Sequence, residues 1–221
     1  MPMQRRGRSD GRRAVARRNP VAADLVPPAL AGVDLAHYRL LLPLHHEERD
    51  VYRPWSAFLP GGVDARDQLR NSGLEDLRHR ALEAGQDMTG WDTCRGAVSG
   101  NFVQAFREAL EGFVPPHSTW TLARWRGYRY EQADATRVTL RGLDCSQQVL
   151  DLDGAMTSIA ELGMPDFMWS SSRQFGSGAP LYPDWGLLTV AADDFVRRLA
   201  PRGFETFSVP RDAVLPDNLG D

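Results

Sequence analysis

The chain has 221 residues, of which 42% are hydrophobic and 25% are charged, and its formal net charge is −3. This composition supplies a sizeable core and excludes a chain that is disordered throughout. No stretch approaches the roughly 20 uninterrupted apolar residues of a membrane helix, and the segment after the first arginines lacks the continuous apolar region of an export signal. We therefore expect a soluble, cytoplasmic protein.

The N-terminus is strongly basic. All 26 basic residues of the chain are arginines, and seven of them lie in the first 18 residues with a single aspartate, a local charge of +6 that leaves −9 on the remainder. We interpret residues 1–20 as a flexible arginine-rich arm and residues 21–221 as a single domain. The arm fits an electrostatic tether to nucleic acid and equally a tail without a partner, but it lacks the aromatic residues that would read bases.

The first half of the folded region predicts short extended pieces followed by helices. The pieces fall within residues 34–55, and the apolar spacing predicts helices over 64–84 and 101–113. In the second helix an apolar stripe recurs at helical spacing, and Asn101 with Gln104 fits a capping pair at its start.

From residue 119 the apolar pattern changes to a period of two. It predicts one further helix at 191–199 and strands at 119–130, 136–141, 147–152, 167–172, 185–190 and 204–209. Helices in the N-terminal half and strands mostly after residue 118 indicate an α+β fold, in which a largely antiparallel twisted sheet packs against those helices. The segment 170–186 is rich in glycine, serine and proline and predicts a long loop of the kind that often carries a site.

Residues 119–131 read TWTLARWRGYRYE and alternate arginines with aromatic residues. In a strand Arg124, Arg126 and Tyr128 would point to one side. That side fits a cross-strand ladder of arginines on aromatic rings, a nucleic-acid platform, or an anion-binding pocket. We expect any site to lie between the face that carries Arg124 and Arg126, the loop at 170–186 and Glu205.

Two resemblances to known families follow from short motifs. The order of an arginine in RGY, a serine triplet in MWSSS and a glutamate in GFETFSV resembles ADP-ribosyltransferases. This resemblance implies that Arg126 holds the diphosphate of NAD, Ser171 supports the nicotinamide pocket and Glu205 orients the ribose for transfer.

The second resemblance covers roughly residues 95–210. The succession FREALEGFVPPHSTWTLARWRGYR, FMWSSSRQF and GFETFSVPRDAVL resembles an uncharacterised family of actinobacterial cytoplasmic proteins. Trp169, Arg173 and Phe175 would fill its W-x-x-x-R-x-aromatic element. The resemblance implies a fold and a lineage but no activity.

Other candidate groups are isolated. His117 precedes the arginine strand and is a candidate for acid–base chemistry. The run HHEERD at 45–50 points its side chains in different directions, so we predict no metal site there. DLDG at 151–154 resembles the nucleophile strand of haloacid-dehalogenase-like phosphatases, but a turn with a helix N-cap at Asp153 fits it better.

The sequence as a whole favours a non-enzymatic binding or interaction protein with an anion-compatible arginine and aromatic face. Its partner would be a protein or a small anionic molecule, and we predict no cofactor and no metal. The alternative is an ADP-ribosyltransferase-like enzyme that uses NAD. The candidate catalytic residues are Glu205, Ser171 and His117, and the candidate ligand-binding residues are Arg124, Arg126, Tyr128, Trp169 and Arg173.

Overall fold

The fold was analysed in a computed structural model, which describes residues 20–46, 48–61, 67–93, 98–128, 134–180, 184–202 and 204–216. These residues form five α-helices and eleven strands, so the predicted α+β class is confirmed. The arm predicted at residues 1–20 lies outside the described residues except for Pro20.

Eight strands form one antiparallel sheet, and three short strands form a second. The strands are β1 (Ala36–Leu41), β2 (Leu44–His46), β3 (Val51–Arg53), β4 (Trp91–Thr93), β5 (Trp120–Trp125), β6 (Thr136–Leu140), β7 (Leu143–Leu150), β8 (Phe167–Ser170), β9 (Phe175–Gly178), β10 (Trp185–Val190) and β11 (Glu205–Ser208). The large sheet has the order β11-β1-β10-β9-β8-β5-β7-β6, and the small one has the order β3-β2-β4.

The helices are α1 (Ala22–Leu25), α2 (Leu74–Glu83), α3 (Gly100–Glu111), α4 (Leu152–Leu162) and α5 (Asp194–Leu199). Helix α3 contacts both α4 and α5, and together they cover one face of the large sheet. Only α3 of these three comes from the N-terminal half, so the expectation that helices of that half cover the sheet was incomplete.

Successive residues of a strand point to opposite faces of the large sheet, and each face packs against a separate hydrophobic core. Leu40 and Leu188 pack under the three helices, whereas their neighbours Leu41 and Leu187 pack on the opposite face. That opposite face is covered by the N-terminal segment, α2, the small sheet and residues near the C-terminus.

The strand predicted at 119–130 is wrong beyond residue 125. Arg126–Tyr128 form a 3-10 helix instead of continuing β5. A Cβ atom on Gly127 would lie 2.2 Å from the ring of Trp125, so this glycine lets the chain fold back over its own indole. Arg124 and Arg126 therefore do not leave one extended backbone side by side.

Two predicted helices have different starts. Among the described residues of the predicted helix 64–84, α2 begins only after Gly73, and residues 67–69 form a 3-10 turn before it. The Gly73 N–H donates to the Asp76 carboxylate at 3.0 Å. Helix α3 begins at Gly100, one residue before the predicted start. Its cap is Ser99, whose hydroxyl accepts a hydrogen bond from the Phe102 N–H at 3.1 Å. Asn101 was therefore the wrong cap.

The sequence predicted only the start of helix α4, through a cap at Asp153, and not the extent of the helix. Asp151 caps it by accepting a hydrogen bond from the Gly154 N–H at 2.8 Å, so the cap predicted at Asp153 was two residues late. The strand predicted at 147–152 is the end of β7, which runs from residue 143 to residue 150.

The predicted loop 170–186 contains the buried strand β9, near the middle of the large sheet. Its small residues have a packing cause: a Cβ atom on Gly178 would lie 1.8 Å from the Leu25 carbonyl oxygen, and one on Gly176 would lie 2.3 Å from Leu30. The residues between β9 and β10 are described only in part.

Candidate functional site

The structure distributes the predicted site residues over separate parts of the fold. Arg124 is buried on the face of the sheet that α4 covers. Its guanidinium donates to the Ser158 carbonyl at 3.1 Å and to the Ser158 hydroxyl at 3.3 Å. This arginine therefore anchors a helix to the sheet.

Arg126 and Tyr128 lie in the 3-10 helix just after β5. The Arg126 side chain is 44% exposed and pairs with Asp144 at 3.5 Å, and Arg137 binds the same carboxylate at 2.8 Å. Exposed pairs of this kind contribute little to stability, on the order of 0–1 kcal/mol.

Four other predicted residues lie at the opposite end of β5. Ser171 accepts a hydrogen bond from the Thr119 N–H at 3.0 Å, and Arg173 donates to the Ala29 carbonyl at 3.0 and 2.6 Å. Trp169 is partly buried against the core on the α2 face, and His117 lies exposed in a turn before β5. These hydrogen bonds of Ser171 and Arg173 hold loops in place.

Glu205 lies at the start of the edge strand β11 and is buried. Its carboxylate accepts hydrogen bonds from the backbone N–H groups of Trp55 at 2.8 Å and Ser56 at 2.9 Å. Those donors begin the 3-10 helix Trp55–Phe58, so Glu205 acts as its cap.

The residues of the ADP-ribosyltransferase resemblance are not brought together. Five strand-to-strand spacings separate β5 from β11 in the sheet, which is about 24 Å. Ser171 lies at the other end of β5 from Arg126. The transferase reading stays a prediction that the geometry does not support.

One cavity, of about 410 Å³, opens between the small sheet and the start of α3. It is lined by Leu41, Phe102 and Phe204, with polar side chains at its rim. Its two charged side chains have partners: Arg202 binds Glu108 at 3.3 Å, and Asp50 binds His45 at 3.1 Å.

A second cavity, of about 370 Å³, lies between the end of α3 and the start of α4. It exposes Glu111 and Asp153, which both bind Arg107, and Asp151, which caps α4. Its carboxylates are thus engaged in holding the two helices.

A third cavity, of about 460 Å³, lies between the segment before β1 and the turn after β11, and we call it the His37 cavity. Its lining residues are Gly32, Val33, Asp34, Leu35, Ala36, His37, Ser208, Val209 and Arg211. His37 is the second residue of β1, so the sheet itself fixes its position.

The His37 imidazole is held and kept neutral by its surroundings. Its Nδ1 lies 3.2 Å from the Thr189 hydroxyl on the neighbouring strand β10. Burial lowers the pKa of His37, and the positive charge of Arg211 lowers it further. The ring is therefore a neutral polar group beside a cation at neutral pH.

Arg211 is the cation of this cavity. It is exposed, and its guanidinium makes no hydrogen bond or ion pair with any residue that the structure describes. A guanidinium without a partner presents a planar donor set that matches a carboxylate or a phosphate. The chemistry of the His37 cavity thus favours an anion.

The described residues contain no group of three or more histidine, cysteine, aspartate or glutamate side chains placed to hold a metal ion. None of their helices has the length and apolar character needed to cross a membrane.

The sequence reading missed His37, Asp34 and Arg211. Asp34 and His37 are close in the chain, but Arg211 lies about 170 residues further on, and no motif marks the three together. The only local signal is the alternation in DLAHYRLLL, which places His37 and Arg39 on one face of a strand. Their convergence depends on the pairing of β1 with β11, which single-sequence patterns do not reveal.

The comparisons with known proteins give no match: no protein-family model, no curated protein and no solved structure is similar to this chain. The resemblance to an actinobacterial family accordingly stays a prediction from the motifs quoted above.

Proposed function

We propose that the protein is a binding protein that takes a small anionic ligand in the His37 cavity. The observation that carries this proposal is the Arg211 guanidinium, which lines a cavity of about 460 Å³ without an ion-pair partner among the described residues. Cavities of about 300–1,000 Å³ are the usual size of small-molecule sites.

Binding, not catalysis, is what the lining groups favour. A nucleophile needs a base within hydrogen-bond reach and access to its substrate. His37 has a hydroxyl partner in Thr189, but Thr189 is fully buried, so a substrate in the cavity cannot reach that hydroxyl. Arg211 and His37 can instead share a negative charge.

Isothermal titration calorimetry tests the proposal with acetate, 4-methylpentanoate, inorganic phosphate and NAD. We expect at least one of the first three to bind, and the Arg211→Ala variant to bind it about tenfold more weakly, because a charge-assisted hydrogen bond is lost. Arg49→Ala is the matched control, since Arg49 is an exposed arginine in a turn that does not line the cavity.

The proposal falls if none of the three anions binds, or if the two arginine variants lose affinity equally. Binding of NAD that is insensitive to Arg211→Ala would favour the transferase alternative. A cytoplasmic location is likewise proposed from the sequence, and cell fractionation tests it.

A further inference from the structure

The His37 cavity contains two opposite charges that do not neutralise each other. Asp34 comes from the segment before β1, and Arg211 comes from the turn after β11. Both residues are exposed, and neither side chain forms an ion pair or a hydrogen bond with a described residue. A cavity that presents a carboxylate and a guanidinium, each without a partner, is complementary to a ligand that carries both charges.

The walls between these charges are apolar. Val33, Leu35 and Ala36 are partly buried, and Val209 is buried. They would contact a hydrocarbon group of the ligand, while its charged groups face Asp34 and Arg211. The neutral His37 adds a polar group without adding a second permanent positive charge.

We propose that the ligand of the His37 cavity is an α-amino acid with an apolar side chain, whose carboxylate binds Arg211 and whose ammonium group binds Asp34. This inference rests on the proposed function, because it assigns a ligand class to the same anion site. The volume of about 460 Å³ lies in the lower part of the range for small-molecule sites and suits a ligand of this size.

Three ligands that share one carbon skeleton test the inference by calorimetry. Leucine carries both charges, 4-methylpentanoate lacks the ammonium group, and 3-methylbutylamine lacks the carboxylate. We expect leucine to bind about fivefold more tightly than 4-methylpentanoate, the upper range for an exposed ion pair, and the amine to bind least.

Asp34→Asn is the decisive variant. It should bring the affinity for leucine down to that for 4-methylpentanoate and leave the latter unchanged or slightly improved. Asp212→Asn is the control, because it removes the same charge from an exposed residue next to Arg211 that does not line the cavity. Asp34 is exposed, so the folded state should tolerate the amide.

The outcomes separate the two proposals. If leucine and 4-methylpentanoate bind equally to the wild-type protein, or if Asp34→Asn keeps the preference for leucine, the amino-acid inference falls and the anion site stands. If neither ligand binds and acetate and phosphate also fail, the proposed function falls as well.

Discussion

Arg39 is a fully buried cation on β1. Its guanidinium donates to the carbonyl groups of Leu69 at 3.1 Å, Arg70 at 3.0 Å and Ser72 at 2.8 Å, and it lies 5.3 Å from the Trp185 ring. Burial lowers the pKa of Arg39 to about 10, so it stays charged at neutral pH. It ties the segment before α2 to the sheet.

Replacing Arg39 by methionine should therefore destabilise the protein by about 3 kcal/mol, because three carbonyls, two of them in buried hydrogen bonds, lose their donor. Urea unfolding followed by tryptophan fluorescence measures the change. Arg78→Met removes a partly exposed arginine from two surface ion pairs, with Glu75 and Asp92, and should cost less than about 1 kcal/mol. Equal stability of the two variants would contradict a structural role for Arg39.

The pKa of His37 depends on the positive charge of Arg211. Because the Arg211 charge contributes to the lowered pKa of His37, Arg211→Ala should raise that pKa toward its ordinary value. An NMR titration of the ring proton measures the shift. A His37 pKa that does not move in this variant would show that the two groups do not share one cavity.

The lowered pKa of His37 also predicts how the stability of the protein depends on pH. The pKa of His37 is lower in the folded state than the ordinary value near 6.5, so the folded state favours the neutral ring. The contribution of the neutral His37 ring to the free energy of unfolding is fully present above about pH 6.5. It is lost as the pH falls through the lower pKa that His37 has in the folded state. A bound anion would reduce this loss, since it favours the charged ring.

At the residue scale, the sequence predicted which face of a strand a side chain occupies better than it predicted which groups that side chain contacts. The alternation correctly set Arg124 on the same face as Trp120 and Leu122. It did not show which groups would meet Arg124, whose acceptors on α4 include the Ser158 carbonyl and hydroxyl and the Leu162 carbonyl. These acceptors belong to a helix whose extent the sequence pattern did not predict.

At the scale of elements, β9 shows why glycine can mark packing as well as a turn. Gly178 meets the Leu25 backbone, which cannot move aside as a flexible side chain can. Gly178→Ala should destabilise the protein by about 3 kcal/mol or more. Gly186→Ala, on the adjacent strand, should cost less than about 1 kcal/mol, because its nearest contact would be an ordinary 3.6 Å. Thermal unfolding of the two variants measures the difference, and similar melting temperatures would contradict this packing.

Elements were predictable where local signals agreed. Helix α3 has a strong apolar stripe and β10 has bounds that match the prediction at 185–190. Helix α4 follows directly on β7, and its first residue, Leu152, was assigned to the strand predicted at 147–152. The loop prediction at 170–186 failed because β9 owes its small residues to a tertiary contact, which turn propensities do not contain.

At the scale of the whole molecule, the two ends of the described chain hold each other. The Ala22 N–H donates to the Ala213 carbonyl, and the Leu215 N–H donates to the Pro20 carbonyl, both at 2.9 Å. Leu215 is buried in the core that contains Leu25. The N-terminal segment and the C-terminal segment are therefore one structural unit.

Leu215→Ala should lower the free energy of unfolding by about 3 kcal/mol, because it leaves a cavity beside the N-terminal segment. Hydrogen exchange of the amides of Ala22 and Ala23 should accelerate in the same variant, since both donate to carbonyls of residues 211–213. The exposed Val214, which is 65% accessible, gives the control Val214→Ala, with little expected change. Unchanged exchange in Leu215→Ala would show that the two ends are independent.

The class of the fold was predictable from the order of helical and strand periods, but the order of strands in the sheet was not. Strand β1 pairs with β10 and β11, which lie some 150 residues further along the chain. Those two pairings bring His37 beside Thr189 and Arg211. The predicted site was therefore assembled from short motifs without knowledge of how the strands pair, whereas the His37 cavity depends on those pairings.

The calorimetric titration of 4-methylpentanoate into the wild-type protein and into Arg211→Ala is the most direct test of the anion site. We predict a measurable dissociation constant for the wild type and a value about tenfold higher for Arg211→Ala, with Arg49→Ala equal to wild type. Equal affinities in the wild type and Arg211→Ala would contradict the assignment of Arg211 as the anion-binding residue.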